Sequence, residues 1–254
     1  MTSEMGMKFR EHILLVTILC GLVYFSGCVD HAAEGEEEEE QARLDSLAQA
    51  ETEGEIFDAY IADAENGINA DDVVIQDNGV RRVVWDPSTS VRVPEFNEIV
   101  SVHYVGKFTT NQIFDTTNPA VAKKSDSLNY VANGISFDDL LAKSDKTYEE
   151  LLDSLNTSDG AISDPVFTLN RLYVPMAFNH QEDGTGISFS FITGFRSGLR
   201  NLMLEMELNS KGLIMIPSAV GYGTVGSSID AEGNQGIPPN TPLIFEFELV
   251  NIRP

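Results

Sequence analysis

The stretch Leu243 to Ile252 (LIFEFELVNI) sets Phe245, Phe247 and Leu249 against Glu246 and Glu248. A period of two places one set of side chains in a core and the other toward water, as in a strand of an antiparallel sheet. An all-helical fold is thereby excluded. Glu98 to Phe108 alternates in the same way, turns through the polar Thr109–Gln112, and returns through Ile113 and Phe114. Val73–Ile75 and Val80–Trp85, joined by Asp77-Asn78-Gly79, read as a hairpin closed by Asp86-Pro87. Gly212–Ile216 reads as a strand ended by Pro217, and Val166–Val174 is strand-like. Helical spacing is confined to three places. Ile56, Tyr60 and Ile61 predict a short amphipathic helix ending near Gly67. Phe137 to Leu155 carries Leu140, Leu141, Tyr148, Leu151, Leu152 and Leu155, with Asp145 or Thr147 as N-cap candidates. Leu199 to Met206 is the third. No internal repeat is present. With 254 residues, 42% hydrophobic and 22% charged, the chain can bury a core. The expectation is an α+β fold, an antiparallel sheet with one packed helix.

The balance of 16 Lys and Arg against 40 Asp and Glu gives −24. This excludes nucleic-acid phosphates and polybasic contact with anionic headgroups as partners. At the N-terminus, Lys8 and Arg10 precede an apolar run from Ile13 to Phe25, shorter than the roughly 20 residues a spanning helix needs. The pattern is that of an export signal over residues 1–27, with Met7 as an alternative start. The run ends in Phe25-Ser26-Gly27-Cys28, which resembles the lipobox of bacterial lipoproteins. That implies lipidation of Cys28, loss of Cys20 with the signal, and a place in the cell envelope on the periplasmic or surface face of the outer membrane. Ordinary signal cleavage beside an unmodified cysteine is the alternative. Residues 28–55 hold Glu36 to Glu40 and six further acids against the single base Arg43, with no aromatic residue. They read as an acidic, disordered tether, with a short helix at Arg43–Ala50 as the alternative. Acids after such a cysteine also resemble the surface-export signal of some Bacteroidetes lipoproteins.

Three separated segments then stand together: Val102-His103-Tyr104-Val105-Gly106 with Phe114-Asp115; Ile192-Thr193-Gly194-Phe195 with Gly198-Leu199; and Ile214 to Gly223. Gly236 to Thr241 and Leu243 to Leu249 follow. In this order they resemble the FKBP-type peptidyl-prolyl cis-trans isomerases, as residues 91–254 with an insertion at about 118–187 and an extension at 56–90 before them. The resemblance implies a curved antiparallel sheet around a short helix and an aromatic pocket for Xaa-Pro bonds. It places Tyr104, Phe114, Asp115, Ile192, Phe195, Tyr222 and Phe245 in the catalytic pocket, with Ile237 and Phe191 as binding positions. Phe195 would form the floor, where the family often has Trp. The Tyr222 hydroxyl and the Ile192 N–H would bond substrate carbonyls, and Asp115 would orient the polar groups. His103 is assigned to the other face of its strand. The base and second aromatic usual in the region of the insertion cannot be placed; Phe167 is one candidate wall and Phe189 the other. The Gly198–Met206 helix reads about one turn longer than the family's, and Gly223–Gly236 reads as an enlarged flap.

No metal and no cofactor is expected, since the four histidines lack ligand spacing. The implied partners are proline-containing polypeptides, macrolides of the FK506 type, and a membrane reached through the N-terminal lipid, with the protein acting as a monomer. The alternative is an FKBP-fold binding module that holds clients with the leucines of the insertion.

Overall fold

The computed structural model describes residues 31–158, 162, 164–188, 192–228 and 236–254, with side chains from residue 37 onward. Two compact units divide the chain, Met1–Ala48 and Gln49–Pro254. Helix α1 spans His31–Ala62, so the described part of the first unit is helical. From His31 to Glu55 this replaces the expected disordered tether with helix. Ala, Glu, Gln, Leu and Arg are strong helix formers, and an acidic first half suits the positive end of a helix. Neighbouring turns are also paired: Arg43 bonds Glu40 at 2.7 Å and Gln41 bonds Asp45 at 2.7 Å. Propensity outweighs like-charge repulsion here. Among the described residues no helix is long and apolar enough to cross a membrane.

In the second unit α1 runs on to Ala62, and Gly67, with φ +65°, caps a short 3-10 turn at Ala64–Asn66. Seven strands follow: β1 (Val74–Ile75), β2 (Arg81–Asp86), β3 (Ile99–Phe108), β4 (Ile113–Thr116), β5 (Met176–Asn179), β6 (Lys211–Ile216) and β7 (Leu243–Arg253). They pair antiparallel in the order β1-β2-β6-β7-β3-β4, with β5 also on β3. Strand β3 shares one edge between two partners. Its first half, Ile99–Val102, pairs with β5 and its second half, Val105–Lys107, with β4. The insertion therefore leaves and re-enters the fold beside the middle of one strand.

Both faces of the sheet are covered. Phe57, Tyr60 and Ile61 of α1 pack on Val83, Leu213, Met215 and Ile244. On the opposite face the helix Thr193–Leu202 buries Phe195, Leu199 and Leu202 against Ile214, Phe245 and Phe247. Burial on both sides explains why β6 reads as a continuous apolar run. That helix begins six residues before the expected Leu199 and ends at Leu202, after which a hydrogen-bonded turn carries the chain on to Met206, whose N–H donates to the Leu202 carbonyl at 3.1 Å. The spacing of Phe195, Leu199 and Leu202 is a buried stripe of period 3.6, and its first member lies N-terminal to the expected start. Gly194 lets the helix approach the sheet: a Cβ there would stand 2.6 Å from Cγ2 of Ile216.

The insertion builds a third core from α2 (Pro119–Ala132), α3 (Phe137–Lys143) and α4 (Tyr148–Asn156); the helix at Thr193–Leu202 is then α5. The structure refines or corrects the sequence reading at three points. A helix at 119–132 was not expected; Asn118 caps it with Pro119 in its first turn. The helical spacing over Phe137–Leu155 divides into α3 and α4, and of its two N-cap candidates Thr147 forms a capping box with Glu150 while Asp145 does not cap. Val166–Val174 is irregular. It lies between Pro165 and Pro175, which donate no ladder hydrogen bond, and Leu172 is 81% exposed; the strand is β5. Leu151 and Leu152 are buried among Tyr130, Phe137 and Phe167, so those two leucines pack the insertion itself.

Candidate active site

The concave face of the sheet gathers rings from four strands or helices. Phe245 of β7 is the hub. Phe195 of α5 meets it edge-on at 4.9 Å and 85°, and Phe114 of β4 at 5.7 Å and 86°. Tyr104 of β3 lies 6.2 Å away, and Phe247 closes the stack behind Phe195 at 5.7 Å. Edge-to-face pairs at such distances contribute about 0.5–1.5 kcal/mol each beyond area burial. Ile192, Phe195, Ile237 and Phe245 are buried, while Tyr104, Phe114 and Tyr222 are half-buried against the same cluster. The rings can pack so closely because residue 106 is glycine: a Cβ there would meet Phe114 at 2.8 Å and Phe245 at 3.0 Å.

Polar groups sit at the edge of this apolar floor. The Tyr104 hydroxyl donates to Oδ2 of Asp115, and Arg171 Nη1 reaches Oδ1 of the same carboxylate at 2.6 Å. Burial, and then the charge of Asp115, push the Tyr104 hydroxyl far above its ordinary value, so it acts as a neutral donor. Burial alone would lower the Arg171 value, but the hydrogen bond and charge of Asp115 outweigh it and the net direction is up. Tyr222 is also raised, by burial first and Asp115 second. It follows the 3-10 turn Ser218–Val220, whose Ser218 N–H donates to the buried Glu53 at 2.9 Å. Ile192 is the N-cap residue of α5, and its carbonyl accepts from Arg196 at 3.1 Å. Among the described residues no three His, Cys, Asp or Glu side chains converge as a metal site would require.

Residues 175–250 match the family model described as FKBP-type peptidyl-prolyl cis-trans isomerase. Over those residues the chain is similar to an FKBP-type isomerase domain. Similar solved structures include a peptidyl-prolyl cis-trans isomerase from Pseudomonas syringae, 20% identical over 82% of this chain and 96% of that one, TM-score 0.40. FkpA from Escherichia coli is 18% identical over 96% and 82%, TM-score 0.36. AtFKBP13 is 16% identical over 70% and 97%, TM-score 0.39. No curated protein matches.

Of the positions expected in the FKBP pocket, the structure brings Tyr104, Phe114, Ile192, Phe195, Tyr222, Ile237 and Phe245 to one cluster, with Asp115 at its rim. Phe167 does not join them. It is 3% exposed and stacked on Tyr173 at 5.6 Å inside the insertion, because its neighbours Val166 and Tyr173 belong to that separate core. Phe191, the alternative wall Phe189 and Cys28 lie outside the described residues, as does 229–235 of the expected flap. His103 faces Thr117 at 3.1 Å, away from the rings. The base beside Asp115 is Arg171, which the sequence reading did not name. Its one signal was isolation, as the sole Lys or Arg between Lys146 and Arg196.

Proposed function

We propose that this chain is a lipid-anchored prolyl isomerase of the cell envelope, acting on proline-containing segments of exported polypeptides. The observation that carries the reading is the convergence of Tyr104, Phe114, Phe195 and Phe245, distant in sequence, on one apolar floor with Tyr222 beside it. Rotation of an Xaa-Pro bond faces a barrier of about 18–20 kcal/mol from amide resonance. A dry slot weakens that resonance by stripping water from the amide, and a twisted amide fits the slot better than either planar form. Phe195 takes the proline ring from below, and the Tyr222 hydroxyl and Ile192 N–H hold the flanking carbonyls. Asp115 keeps Tyr104 in place at the rim. The step needs no nucleophile. FK506-type macrolides would occupy the same floor. Anchoring rests on the lipobox-like Phe25-Ser26-Gly27-Cys28 alone.

Exchange of an Ala-Phe-Pro or Ala-Leu-Pro peptide by the 254-residue chain tests the reading. Loss of one hydrogen bond in Tyr222→Phe should lower kcat/KM by about tenfold, and Phe195→Leu by a similar factor. A wild-type chain that leaves the exchange rate at its uncatalysed value ends it. For the anchor, radioactive palmitate should label the wild type; label persisting in Cys28→Ala overturns that part alone.

A further inference from the structure

Arg171 reaches the pocket rim from the insertion, and the insertion holds it by a buried polar anchor. The segment from Val166 to Tyr173 has no secondary structure of its own, yet it is closed at both ends. Asp126 of α2 is fully buried. Its Oδ1 accepts the Val166 N–H at 3.0 Å and its Oδ2 the Phe167 N–H at 2.9 Å. Asn156, the last residue of α4, donates to Asp126 at 3.2 Å and to the Phe167 carbonyl at 2.9 Å, and accepts the Tyr130 hydroxyl at 2.6 Å. At the far end the Tyr173 hydroxyl donates to the Val166 carbonyl at 2.9 Å and accepts the Thr168 N–H at 2.9 Å. The guanidinium of Arg171 lies 5.2 Å over the Tyr173 ring and extends from there to Asp115.

A carboxylate is expensive to bury, and here each oxygen is satisfied by backbone or amide donors. The two backbone donors belong to the loop that carries Arg171 and the third, Asn156, to α4; none of the three belongs to the sheet. We infer that Asp126 is a positioning residue for isomerisation: it fixes the Val166–Tyr173 loop so that Arg171 holds Asp115, and through it Tyr104, at the rim of the pocket. The inference rests on the isomerase reading. A displacement of about 1 Å in such a group can cost up to about a hundredfold in rate.

A double-mutant cycle on the 254-residue chain decides it, with kcat/KM for an Ala-Leu-Pro peptide as the readout. Asp126→Ala should lower kcat/KM by about tenfold where Arg171 is present and leave it unchanged where Arg171 is already Ala. Asp126→Asn, which keeps one acceptor oxygen, should recover part of the loss. Equal losses in both backgrounds mean that Asp126 only supports the fold, and no loss in either means that it does not hold Arg171; both overturn the inference. If Asp126→Ala loses its near-UV circular dichroism, Tyr173→Phe takes its place: a loss of about threefold with Arg171 and none without it is expected, and equal effects overturn the inference. An inactive wild type removes the isomerase reading and this inference together; an active wild type with additive losses removes only the inference.

Discussion

The sheet core and the insertion are both apolar inside, but they are assembled by different means. In the core, partners come from far apart in sequence: β3 and β7 pair along most of their length, and Phe245 meets Phe195 and Phe114 across the fold. The polar groups of its aromatic pocket, Asp115 with the Tyr104 hydroxyl, lie at the pocket's rim. The insertion is local, with three short helices capped by Asn118, Ser136 and Thr147. Near its centre sits a carboxylate, Asp126, which orders irregular chain that no ladder could hold. The contrast shows how an apolar site can acquire a charged side chain without burying charge in its own core: the arginine is supported by a neighbouring core with its own hydrogen bonds.

The comparison breaks most readily at Phe247. Replacing it with Ala should cost about 3–5 kcal/mol in urea unfolding, and should weaken amide protection in β3, β7 and the insertion together. Leu152→Ala should cost about 2–5 kcal/mol by the same mechanism, yet raise amide exchange in α2–α4 only; exchange rising equally in β7 would show a single cooperative unit. The smallest effect is in acid. Burial lowers His180 below its ordinary 6.5, opposed by bonds to Arg200 and Glu95 and by the charge of Glu98. As pH falls through about 6.5 the unfolded chain therefore protonates first, and core stability drops. Burial raises Asp126 above its ordinary 3.8, against its bonds to Phe167, Val166 and Asn156. Its contribution therefore falls as pH rises from that value through the raised one and is level above it. Subtracting the pH profile of Asp126→Asn for the insertion, and of His180→Gln for the core, should leave slopes of opposite sign; slopes of one sign would contradict the separation.

Strands announced themselves where one face is wet. Glu246 and Glu248 mark the register of β7, and the Asp77-Asn78-Gly79 turn marks the β1–β2 hairpin. The aromatic floor was legible only through the resemblance to the FKBP-type isomerases, since Tyr104, Phe114 and Phe245 lie on three strands and Phe195 on a helix, and no one period joins them. Arg171 was not, because its position depends on a carboxylate 45 residues earlier and on a ring two residues later, a relation with no period. β5 was hidden by exposed apolar residues before it, Leu172 and Val174, which mimic a strand that Pro175 prevents from starting sooner. The acidic stretch misled in the opposite sense: charge density argued for an extended chain while Glu, Ala and Gln favoured α1.

Glu53 gives that helix a second meaning. Its carboxylate meets the Ser218 amide at the start of the turn that precedes Tyr222, so residues that look like spacer brace one wall of the aromatic cluster. A protease that trimmed the chain at residue 55 would spare every pocket ring and still remove this brace. Maturation by proteolysis at that point would thus yield a shorter protein whose tyrosine-bearing turn is held less firmly than in its parent.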